Sequence, residues 1–224
     1  MDDKELEKKF TSLKNECFRD LENLGISIPE VERDFEDSKI PHGNLSALQD
    51  CIWYQYNKNI SRYSHDFDKQ AMTYNSMAHF RYKYEGGKGV HELKKLAVEA
   101  KKQSYIPISL DNQITMEAVI ITPKNCCDAC KQDEGRTMDL QEFLNTNILP
   151  HEECTCKGYG CICWFGVTGK RDLEGNLIWN DTVASHSGKI ANKTLQNKPT
   201  NAQLKKEGAR TIIDLFNFFK GKKK

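Results

Sequence analysis

Seven of the chain's nine cysteines fall between Cys126 and Cys163. The order is Cys127-x2-Cys130, twenty-three residues, Cys154-x-Cys156, four residues, Cys161-x-Cys163, with His151 three residues before Cys154. Three chemistries use cysteines at such density: metal ligation, a disulfide framework, and thiol redox or nucleophilic catalysis. The C-x-x-C pair favours ligation. Two residues in a tight turn bring both thiolates to one cation and leave backbone N–H groups free to bond the sulfurs.

The other two chemistries fit less well. A redox C-x-x-C opens a helix within a βαβ frame, whereas Cys130 is followed by KQDEGRT, which is no helix start. A nucleophilic cysteine needs a histidine close in space. His151 can supply one, but so many neighbouring thiols argue for ligation. The N-terminal MDDKELEKKF lacks the apolar core of a secretory signal. The expected location is therefore the cytoplasm, where thiols stay reduced.

The candidate ligands are Cys127, Cys130, Cys154, Cys156, Cys161, Cys163 and His151. Cys127 and Cys130 form the first pair. The second pair is Cys154 with Cys161 or Cys163, or His151 with Cys154 or Cys156. These donors outnumber the four that one ion takes, so a two-metal cluster stays open. The expected cofactor is Zn2+, which prefers tetrahedral sites and soft donors. An iron–sulfur cluster is a further option for four thiolates. The intervening loop has little apolar surface to bury, and a structural ion contributes on the order of 10 kcal/mol.

The flanking elements must hold these side chains in place. Leu6, Phe10, Leu13, Cys17, Leu21 and Leu24 recur at spacings of three and four and predict a helix over 3–24 that ends at Gly25. Residues 26–44, with two prolines and many charges, read as a connector. Ser46 is a candidate cap for a short helix through Cys51, Trp53 and Tyr56. Further helices are predicted over 65–84, buried through Phe67, Ala71, Tyr74, Met77 and Phe80, and over 90–102, buried through Val90, Leu93, Leu96, Ala97 and Ala100. ITMEAVIIT (114–122) is β-branched and predicts a strand that delivers the chain to the first cysteines. GRTMDL predicts a short strand, 140–145 a helical turn, WFGVTG an extended segment, and Glu174-Gly175-Asn176 a hairpin. Residues 181–203 read as a polar linker and 203–219 as an amphipathic basic helix.

The expected fold is α+β: a mostly helical N-terminal half, a small zinc-stabilised β-containing cysteine module and a C-terminal amphipathic helix. The expected divisions are 1–105, 106–180 and 181–224. No run of apolar residues is long enough to span a membrane. The net charge of +1 hides an asymmetry. Residues 1–50 hold thirteen acids against seven bases, and 186–224 hold ten bases against two acids. The basic end makes nucleic acid a candidate partner through residues 186–224.

EAVIITPKNCCDACKQDEGRTMDL (117–140) and LPHEECTC (149–156) resemble the C-terminal cysteine-rich segment of the Mu-F-like phage minor head protein family. The matching positions are Cys127, Cys130, Gly135, Pro150, His151, Cys154 and Cys156. GYGCICWF (158–165) matches a variant with a glycine-rich stretch and a second C-x-C. Thr155 or Ile162 stands where the family places arginine, and the N-terminal half matches nothing in the family's head-assembly region. The resemblance implies a metal-binding structural protein of phage or prophage heads, located in the virion if phage-encoded, with no catalytic residues to carry over.

Together these features predict a zinc-binding, non-enzymatic structural or assembly protein that joins a protein partner or itself. The alternative is a zinc-dependent nucleic-acid-binding protein or nuclease that uses the basic C-terminal region, where His186 and Asn192 stand.

Overall fold

Apolar residues at helical spacing organise the N-terminal half into five helices: α1 (Asp3–Asn23), α2 (Ile28–Asp37), α3 (Leu45–Arg62), α4 (Phe67–Tyr84) and α5 (Val90–Leu110). The structure is a computed structural model that describes residues 3–37, 44–110, 113–156 and 159–180. The chain divides into two units, Met1–Ile178 and Trp179–Lys224. The linker and basic helix expected over 181–224 lie outside the described residues.

The predicted stripe of α1 is buried at Phe10, Leu13, Cys17 and Leu21. It packs with Val31, Phe35, Leu48, Ile52, Tyr56, Met77 and Phe80 in the first core. The expected connector over 26–44 contains a helix instead. Ile28, Val31 and Phe35 recur at spacings of three and four, and Pro29 sits in the first turn, where its missing N–H costs nothing. Asn44, not Ser46, caps α3, its side chain accepting from the Ala47 N–H at 3.1 Å. Asp66 caps α4 in the same way. Phe67 and Leu96 were expected inside but are 36% and 46% exposed. In α5 the inward positions include Lys94, Val98 and Lys102. That helix runs unbroken to Leu110, past the expected boundary at 105/106, with Pro107 inside it.

The period then shortens to two. β1 (Met116–Ile121) is the middle strand of an antiparallel sheet ordered β2-β1-β3, with β2 (Thr137–Asp139) and β3 (Trp164–Gly169) at its sides. Val119 pairs with Thr137 on one side and Gly166 on the other. Two short helices lie between the strands: α6 (Asp128–Lys131) and α7 (Leu140–Leu144). Asp139 caps α7 by accepting from the Gln141 and Glu142 N–H groups. The expected hairpin closes through an Arg171–Leu177 bridge. A Cβ on Gly169 would meet Leu177 Cδ2 at 2.7 Å and Ile114 Cγ2 at 3.3 Å, so a larger residue there requires those side chains to shift.

The chain is thus an α+β protein, with seven helices and a three-stranded antiparallel sheet among the described residues. A second core forms from Val98, Ala118, Ile120, Leu140, Phe143, Leu149 and Phe165, together with Cys126, Cys130, Cys161 and Cys163. The Phe143 and Phe165 rings lie 4.6 Å apart at its centre. Four cysteines therefore belong to the interior of the very region they are expected to stabilise. No helix among the described residues is long and apolar enough to cross a membrane.

Candidate metal centre

Two stretches of chain converge on the site. Cys127 precedes α6 and Cys130 lies within it, and β1 anchors this turn. The loop 149–163 runs back past the turn and carries His151, Cys154, Cys156, Cys161 and Cys163 before entering β3. The two groups of thiols thus meet in space, as a shared ion requires.

The donors form two sets, each with all ligand atoms within 4.8 Å of one another: Cys127, Cys130, Cys154 and Cys156; and Cys130, His151, Cys161 and Cys163. Cys130 belongs to both. All seven predicted ligands appear, and Cys126 appears in neither set. It is 7% exposed and packs in the second core. Cys17 and Cys51 lie in the helical core, where burial pushes their thiols up to about 12 and about 11.

The spacings suit a small tetrahedral cation. Around an ion with Zn–S bonds of about 2.3 Å, sulfurs of a tetrahedron stand about 3.8 Å apart. Here Cys127 and Cys130 Sγ are 3.6 Å apart, Cys130 and Cys154 3.6 Å, Cys127 and Cys154 4.0 Å, and Cys130 and Cys161 3.9 Å. All nine cysteines are free thiols, and these separations far exceed the roughly 2.05 Å of a disulfide.

Backbone amides point at the sulfurs, as expected of a ligand turn. The Cys127 N–H donates to Cys156 Sγ at 3.1 Å, Thr155 N–H to Cys127 Sγ at 3.3 Å, and Cys156 N–H to Cys154 Sγ at 3.4 Å. Such bonds favour the thiolate over the thiol. The histidine has its own support. His151 Nδ1 stands 3.5 Å from Cys161 Sγ, and Nε2 stands 3.0 Å from Asp133 Oδ2. Asp133 is held in turn by Arg136 at 2.9 Å. A carboxylate on the outer nitrogen is the usual means of orienting a ligand imidazole.

Crowded sulfurs do not ionise together. Backbone hydrogen bonds at Cys130 and Thr155 hold the Cys127 thiol down to about 5. Its bond to Cys163 does most to bring Cys161 down to about 4. Burial raises Cys130, and raises Cys154 to about 12. Cys163 is raised, first by its bond to Cys161 and then by burial. Protein alone thus stabilises some thiolates at the expense of others. A divalent cation reverses that logic, since coordination deprotonates a thiol outright. The donor chemistry, the spacings and the supporting bonds all fit a tetrahedral metal.

Three participants escape sequence reasoning. Asp133 is one; its signal is that a lone histidine among thiolates needs an acceptor for its second nitrogen, and a carboxylate follows the C-x-x-C pair. Lys94 is the second. It is 5% exposed, its Nζ donates to the Cys161 carbonyl, and it lies 3.6 Å from the Tyr159 ring centroid. Tyr159 is the third. Its hydroxyl donates to the Asn75 carbonyl at 2.9 Å, and its ring meets the His79 ring edge-on. Nothing in the sequence around Lys94 or Tyr159 marks them, because both contacts join positions more than sixty residues apart. His79 itself is exposed on α4 and belongs to neither donor set. His186 and Asn192 lie outside the described residues.

Comparison of the chain with protein-family models, with curated proteins and with solved structures finds no match to any of the three.

Proposed function

We propose that the protein binds Zn2+ through its cysteine module, that the metal is structural, and that the folded module serves as a non-enzymatic assembly or interaction element. The observation that carries this reading is the composition of the donor sets. Each supplies four protein ligands. A catalytic zinc keeps one position for water or substrate, whereas a structural zinc is closed by protein on all sides. Cys130, Cys161 and Cys163 are also core residues, so the ion and the apolar interior are one construction. Soft thiolates with one imidazole favour zinc over harder cations. The resemblance to the Mu-F-like minor head segment supports an assembly role in phage or prophage heads and a protein partner or a second copy of the chain as its target.

The test has two arms. Elemental analysis of protein purified without added metal is expected to find zinc bound tightly enough to survive dialysis. Zinc-loaded protein is then followed by native mass spectrometry and by titration with duplex DNA at low salt. Self-association or capture by a head protein, with no DNA binding, supports the assembly role. Salt-sensitive DNA binding with no self-association overturns that role in favour of a nucleic-acid function, leaving the zinc assignment standing.

A further inference from the structure

We infer that the module holds two metal ions that share the Cys130 thiolate, one completed by Cys127, Cys154 and Cys156 and the other by His151, Cys161 and Cys163. The inference rests on the zinc-binding reading above and specifies how the donors are divided.

Seven donors cannot serve one tetrahedral ion. An ion held by the first set leaves the donor atoms of His151, Cys161 and Cys163 without a cation to share, and an ion held by the second does the same to Cys127, Cys154 and Cys156. Each half is also supported separately. Amide bonds to sulfur fall on Cys127, Cys154 and Cys156 in the first half, and backbone bonds at Cys163 and His151 reach Cys161 in the second. The Arg136–Asp133–His151 chain serves only the other half. Two independent supports imply two things to support.

Cys130 is placed to join them. Its Sγ is fully buried, 3.6 Å from Cys127 and Cys154 on one side and 3.9 Å from Cys161 on the other. A thiolate has more than one lone pair to donate and can bind two cations at once. Neither a carboxylate nor a water replaces it, because core residues enclose it.

Coordination of all six thiols by two divalent ions leaves the cluster a net charge of −2. Buried charge of that size needs compensation. Lys94 supplies part of it: its buried ammonium meets no carboxylate among the described residues and lies beside the loop that carries Cys161.

The experiment uses the full chain loaded with 113Cd in place of zinc. Native mass spectrometry is expected to find two ions per chain, matching the two donor sets. Cys156→Ser and Cys163→Ser are each expected to lose one ion, and Cys130→Ala both. Because Cys130→Ala removes a core residue and can fail to fold, a correlation spectrum of the unmutated protein gives a second reading. The Cys130 β-protons are expected to couple to both cadmium resonances. One ion per chain, or Cys130 protons coupled to one resonance alone, overturns the shared thiolate while leaving the zinc-binding reading intact. No bound ion at all overturns both.

Discussion

His151 Nε2 stands 3.0 Å from Asp133 Oδ2, and this bond decides which ring nitrogen faces the sulfurs. With Nε2 donating to a carboxylate, Nδ1 carries the free lone pair and points toward Cys161. Asp133→Ala removes that control and lets the ring turn or protonate on the wrong side. Metal affinity is expected to fall about 10- to 100-fold, measured by competition with a chromophoric chelator. The far-UV helical signal should stay unchanged. Wild-type affinity in this variant would mean that His151 is not a ligand.

Cys126 and Cys127 are neighbours with opposite fates. Cys127 lies in a donor set, and Cys126 turns into the second core. Cys126→Ala is expected to keep the full metal content and to lose about 1 kcal/mol of stability, as for a small core truncation. Cys127→Ala is expected to lose metal. Elemental analysis of the two purified variants decides it. Equal metal content in both contradicts the assignment of ligands.

Removing the metal should not unfold the whole chain. The helical core draws on α1 to α4 and contains no ligand, whereas the second core is built partly from Cys130, Cys161 and Cys163. Treatment with a strong chelator is expected to cost the module on the order of 10 kcal/mol, enough to disorder it. Hydrogen exchange should accelerate across β1, β3 and residues 149–163 while α1 and α3 stay protected. Uniform protection before and after chelation counts against a structural metal.

Lys94 fastens the ligand loop to α5. Its Nζ donates to the Cys161 carbonyl and lies over the Tyr159 ring, while Lys102, two turns on, donates to the Thr146 carbonyl. Lys94→Met keeps the stem but leaves that carbonyl without its partner, at a cost of about 1–3 kcal/mol, with a further ~0.5–2 kcal/mol from the lost cation–π contact. Denaturant unfolding of the zinc-loaded protein should show the loss. An unchanged midpoint argues against the lysine's role as a fastening.

The sequence carries the ligand set clearly because metal ligation is a local demand. Cys127-x2-Cys130 is legible without knowing what surrounds it, and so is the strand of β-branched residues before it. Helices α1, α4 and α5 are legible for a similar reason, since Leu13, Met77 and Ala97 sit on periodic stripes. Helix α2 is hidden by Pro29, which reads as a breaker although the first turn tolerates it. Lys94 and Lys102 are hidden by their own charge: a lysine at an inward position reads as a break in the apolar face, and only the distant carbonyls of Cys161 and Thr146 explain it. The division of donors is hidden too, because spacing alone does not say that Cys130 lies between two sets.

The central claim is that a thiolate-rich ion binds Cys127 and Cys130 to the donors beyond position 150. X-ray absorption at the zinc edge, on protein purified without added metal, tests it most directly. The account predicts stoichiometric zinc with a first shell dominated by sulfur at about 2.3 Å and a smaller nitrogen contribution near about 2.0 Å. A protein free of metal, or an ion surrounded only by oxygen and nitrogen, would contradict it.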